Sequence, residues 1–110
     1  MTYDYIYIIS NDQGYIKVGV SKQPNKRLKQ LQTGNEHKLT LLFTEEFECS
    51  RKQVLRIEKL IHKELRRLTT KMVGEWFKLN EDELTSIKNT ITYHRIRYED
   101  DINFFERKFR

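Results

Sequence analysis

The stretch "YDYIYIISNDQGYIKVGVS", residues 3–21, constrains the chain most. Two runs rich in Tyr, Ile and Val flank "NDQG", where Asn11 and Asp12 suit a turn and Gly14 suits positive φ. The first run is apolar at almost every position, as a strand buried on both faces is. An antiparallel hairpin over residues 3–21 is therefore expected. Gly19 interrupts the second strand, which marks a bulge or a close backbone approach.

Downstream, Pro24 fits the first turn of a helix with Leu28 and Leu31 on its apolar edge, and "TGN" at 33–35 ends it. A third strand is expected from Leu39 to Phe47. Ser50 and Gln53 form a capping pattern before the longest helix, "RKQVLRIEKLIHKELRRL". "GEWFKL" reads as a short extended segment, and Asn80 with Glu83 caps a further helix. The expected class is α/β (α+β), a small three-stranded, mainly antiparallel sheet flanked by helices. Residues 1–92 form the domain and 93–110 a C-terminal helical extension. Tyr98, Ile102, Phe105 and Phe109 make an apolar helical stripe there, packing on the domain or on a partner, a homodimer being one such assembly.

One domain is what 110 residues support. The net charge of +5 favours a polyanion, nucleic acid before a membrane surface. One cysteine excludes an intramolecular disulfide and a thiolate zinc cage. No apolar run nears 18 residues and the N-terminus lacks a leader pattern, so a cytoplasmic location is expected, nuclear or host-cell if the source is eukaryotic or viral.

At 100° per residue, Leu60, Ile57, Leu68, Ile61, Val54 and Leu65 fill one arc of the long helix. Glu58 follows between Leu65 and Leu55, with His62 beside it. A carboxylate flanked by aliphatic neighbours is costly unless a cation meets it. Either a nearby Arg or Lys pairs with it, or it snorkels at the edge of the arc, or it binds a hard divalent ion. His62 by itself reads as a packing residue. Lys59, Lys63, Arg66 and Arg67 read first as a solvated face and second as phosphate contacts, and Trp76 and Phe77 as core before base-stacking groups.

These segments, in this order, resemble the GIY-YIG nuclease superfamily. "YIY" at 5–7 matches its first motif, with Tyr7 as the motif tyrosine. "KVG" at 17–19 matches the second, with Gly19 as its glycine. Arg27, eight residues on, matches the catalytic arginine, and Glu58 in "RIEKLIH" the metal-binding glutamate. The phage and viral branch is similar in "KVGVS", "RLKQLQT", "EKLIH" and "GEWF". Tyr5 stands where the family has glycine and Lys17 where it has tyrosine. Tyr15, two residues before Lys17 and so on the same strand face, is placed to supply that phenol. Lys17 is otherwise placed to help Tyr7 lose its proton or to neutralise phosphate. Asn80 is the nearest candidate for the family's late asparagine.

The resemblance implies a metal-dependent endonuclease that leaves 5′-phosphate and 3′-hydroxyl ends on DNA, or RNA as a second substrate. Its implied catalytic set is Tyr7, Tyr15, Lys17, Arg27, Glu58 and His62, with one Mg²⁺ or Mn²⁺ on Glu58. Lys22, Lys26, Lys29 and Arg51 are the expected nucleic-acid contacts. The alternatives are a non-catalytic nucleic-acid-binding module on the same scaffold, or an interaction protein working through the C-terminal stripe.

Overall fold

The structure, a computed structural model, describes the backbone of residues 3–109 and the side chains of residues 3–98. The elements run β1 (Asp4–Ser10), β2 (Tyr15–Ser21), α1 (Pro24–Gln32), β3 (Thr40–Phe47), α2 (Arg51–Leu68), β4 (Met72–Val73), β5 (Trp76–Lys78) and α3 (Glu81–Phe109). The hairpin, both early helices and the third strand lie where the sequence pattern puts them. The sheet has five antiparallel strands in the order β3-β1-β2-β5-β4, because Met72–Lys78 folds into a second hairpin and joins it.

Turn chemistry explains both hairpins. Asn11 Oδ1 accepts the backbone N–H groups of Gln13 and Tyr15, and Gly14 sits at φ 82°. The β4–β5 turn has two residues, with Gly74 at φ 59° followed by Glu75. Ser50 Oγ caps α2 by accepting from Gln53 N. Asn80 and Glu83 cap α3 reciprocally, each side chain accepting the other's backbone N–H.

β1 is central and buried on both faces, and its alternation sorts the core into two layers. Ile6 and Ile8, with Ile16 and Val18 of β2, pack against Val54, Ile57, Ile61 and Leu65 of α2 and Ile87 and Ile91 of α3. Tyr7 and Ile9 face the other way, toward Leu28 and Leu31 of α1. The apolar arc of α2 is narrower than its periodicity implies. Leu60 is 52% exposed and Leu55 42% exposed, so the core stripe stops at Val54, Ile57, Ile61 and Leu65.

α3 is one helix across residue 92, and Arg95 pairs with Glu45 of β3. Tyr98 is half-buried, while the side chains of Ile102, Phe105 and Phe109 lie outside the described residues. No helix among the described residues is long and apolar enough to cross a membrane.

Candidate active site

β5 pairs with β2 only through Tyr15↔Lys78 and Ile16↔Phe77. From Lys17 to Ser21 no strand covers the outer edge of β2 among the described residues. A cleft of about 820 Å³ opens along this edge, between α1 on one face of the sheet and α2 on the other. Tyr7, Lys17, Gly19, Arg27, Glu58 and His62 all line it. Residues spread over 56 positions of the chain thus meet because β2 ends its pairing early.

Each side chain arrives by a different route. Tyr7 is the cross-strand partner of Gly19, and its ring lies over that glycine. A methyl group at Gly19 would lie 2.5 Å from Tyr7 Cζ and overlap the hydroxyl. Gly19 is therefore the close approach that the sequence signals, and the β1–β2 register shows no bulge; the irregularity lies between Ile8 and Ile9 against β3. Arg27 is half-buried in the first turns of α1, with Nη1 3.5 Å from Gln30 Oε1. Glu58 and His62 come from one edge of α2. His62 Nε2 lies 2.9 Å from the Val18 carbonyl oxygen and 4.0 Å from Glu58, and its ring meets Phe77 edge-on. His62 thus satisfies a carbonyl on the open sheet edge.

Two pairings were hidden from sequence reading. Lys17 Nζ contacts Glu75 Oε2 at 2.5 Å, across 58 residues, so Glu75 belongs to the cleft. The two-residue Gly74–Glu75 turn is the sequence signal that points to it. Asp4, 1% exposed, accepts from Arg51 Nη1 at 2.6 Å and lies 3.6 Å from Lys22 Nζ. Arg51 is consequently tied to β1 at the start of α2.

Other expected site residues lie elsewhere. Tyr15 lines a separate cavity, with Lys78 Nζ 5.6 Å from its ring centroid. β5 pairs with β2 at Tyr15 and Ile16 and the pairing stops before Lys17, so sharing a strand face does not bring Tyr15 to the cleft. Asn80 spends its side chain on the α3 cap. Lys22 and Lys26 flank a depression that also touches Arg27, and Lys29 is exposed in the last turn of α1. On α2, Lys52, Arg56, Lys59 and Arg66 line the cleft, while Arg67 turns to Glu64. Six basic side chains and two carboxylates therefore face the cleft, a field suited to a phosphate backbone.

The carboxylates differ in setting. Burial pushes Glu58 above its usual range, with Glu75 adding to the rise while His62, Lys17 and Arg51 oppose it. The hydrogen bond and charge of Lys17 hold Glu75 below that range, despite slight burial. Among the described residues no group donates a hydrogen bond to Glu58. No group of three or more His, Cys, Asp or Glu that could hold a metal occurs among them either. A single hard carboxylate facing an open cleft fits an ion that keeps its waters and takes substrate oxygens, as Mg²⁺ does.

The T5orf172 domain family model matches residues 4–92, which include every residue of the cleft. No curated protein and no solved structure matches the chain.

Proposed function

Because the chain belongs to the T5orf172 domain family, we propose that it acts on nucleic acid as a metal-dependent endonuclease, hydrolysing DNA phosphodiester bonds to 5′-phosphate and 3′-hydroxyl ends. The observation that carries this reading is that Tyr7, Arg27 and Glu58 share one basic cleft. They are the residues that match the tyrosine, arginine and glutamate of the GIY-YIG superfamily.

The Arg27 guanidinium can grip a phosphate oxygen bidentately, which a lysine cannot do. Lys52, Arg56 and Lys59 along α2 seat the flanking backbone. The Tyr7 oxygen, fixed over Gly19, orients the attacking water and, as the phenolate left once its own proton has gone to solvent, takes up the water's proton. Lys17 neutralises charge at the same wall, and His62, anchored on Val18, holds the edge of α2 that carries Glu58. Glu58 would hold the Mg²⁺ or Mn²⁺, which when bound supplies Lewis-acid stabilisation of the phosphate and the leaving 3′ oxygen.

A second reading has one observation in its favour. Lys17, at the position of the second motif tyrosine, is already paired with Glu75. That pairing suits a module that binds without cutting. Supercoiled plasmid incubated with Mg²⁺ or Mn²⁺ separates the two. Conversion to nicked circles with ligatable 5′-phosphate ends supports the nuclease, whereas binding with no conversion in either ion supports the module.

A further inference from the structure

A second cavity, of about 260 Å³, is lined by Asn11, Gln13, Tyr15, Asn35, His37, Val73 and Trp76. It is smaller than the roughly 300–1,000 Å³ of a drug-sized site, a scale suited to one planar ring system. Trp76 is half-buried, and it packs against the Tyr7, Ile9 and Leu39 cluster. Its cross-strand partner Val73 is 66% exposed, an apolar side chain left in water beside the cavity. Tyr15 has the Lys78 ammonium over its ring.

Two amides on the polar rim, Asn11 and Asn35, have a defined sense. Asn11 Oδ1 accepts from the backbone of Gln13 and Tyr15, and Asn35 Oδ1 accepts from His37 N at 3.0 Å. The –NH₂ ends of both amides are therefore the groups left to meet a ligand, and they donate. The cavity also adjoins the cleft in sequence and in space. Glu75 lines the cleft and Trp76 the cavity, while Lys17 and Tyr15 do the same two residues apart on β2.

We infer that this cavity is a stacking subsite for one unpaired nucleobase of a single strand whose backbone lies in the cleft. Trp76 and Tyr15 supply the stacking surfaces, the Asn11 and Asn35 amides donate to a base carbonyl, and Lys78 meets the adjoining phosphate. Stacking on aromatic side chains tolerates any base because every base has a π-face. Donors at the rim favour a base with a ring carbonyl, such as thymine. The inference rests on the nucleic-acid reading above and assigns Trp76 a role beyond the core.

Trp76 is the only tryptophan in the chain, so its fluorescence reports the cavity directly. Its emission is followed in EDTA during titration with a thymidine oligomer and with an abasic oligomer of equal length. Anisotropy of labelled oligomers gives the affinities. The thymidine oligomer should change Trp76 emission and bind on the order of ten-fold tighter than the abasic one. Tyr15→Ala should bring thymidine binding down to the abasic level, and Tyr15→Phe should restore it. Equal affinity and equal emission change for the two oligomers would overturn the subsite and leave the backbone contacts of the cleft intact. Failure of both oligomers to bind would overturn the nucleic-acid reading, and the subsite with it.

Discussion

The Tyr7 phenol occupies the space that a Cβ on Gly19, its cross-strand partner, would take, leaving no room for a side chain there. Tyr7 is 2% exposed and belongs to a core cluster against which Leu28, Leu31 and Trp76 pack, so the ring cannot swing aside freely. Gly19→Ala should displace the phenol from the cleft wall. The expected result is a loss of about 1–3 kcal/mol in urea unfolding and a larger proportional loss of nicking. Unchanged unfolding and unchanged nicking together would show that the ring yields at no cost.

The position of Tyr7 was legible from one strand because cross-strand pairing is local once the turn is known. The hairpin, α1 and the exact run of α2 followed from Asn11, Gly14, Pro24 and Ser50, each acting on its own neighbourhood. Glu75 was not legible as a cleft residue, because its partner Lys17 lies 58 residues away and only the β4–β5 turn joins them. Leu60 falls within the apolar arc of α2 by angle yet stays exposed, since the stripe facing the sheet and α3 is narrower than the arc. Tyr15 shares a strand face with Lys17, but the β2–β5 pairing ends between them. Period alone says which face a residue takes, and neighbouring elements decide what it meets.

The Lys17–Glu75 pair should matter for binding more than for stability. Glu75 is 74% exposed, so solvent screening limits its worth to about 1 kcal/mol or less. Glu75→Ala should leave the melting temperature nearly unchanged and tighten oligonucleotide binding several-fold, by freeing Lys17. Lys17→Ala should weaken binding and lower the slope of log K against log salt by about one. Weaker binding by Glu75→Ala would mean that Lys17 works only when held.

Glu58 sets a pH dependence of stability. Burial raises its folded-state pKa above the ordinary 4.5, so the folded protein takes up the proton more readily than the unfolded chain. Its ionisation therefore costs stability above the folded pKa, and the cost disappears as pH falls through that value toward 4.5. Glu58→Gln should melt higher than the native protein near pH 7 and lose that advantage at about pH 4. Mg²⁺ should raise the native melting temperature at neutral pH and leave that of Glu58→Gln unmoved. A variant that melts lower at neutral pH would contradict the argument.

Asp4 anchors the basic segments that begin α1 and α2. Its carboxylate is almost fully buried, yet Arg51 and Lys22 are about half exposed and can return to water when it is removed. Asp4→Ala should therefore cost about 1–3 kcal/mol, below the toll of breaking a fully buried pair. Urea unfolding measures it, and a change under about 0.5 kcal/mol would assign Asp4 no anchoring role.

The central claim is that a phenol, a guanidinium and a carboxylate cooperate in one cleft on a phosphodiester. Single-turnover nicking of supercoiled plasmid in Mg²⁺ or Mn²⁺ tests it most directly, with Tyr7→Phe, Arg27→Ala and Glu58→Ala beside the native protein. The account predicts that each variant loses on the order of a hundred-fold or more in rate while still binding DNA. Nicking by Glu58→Ala at the native rate would contradict it.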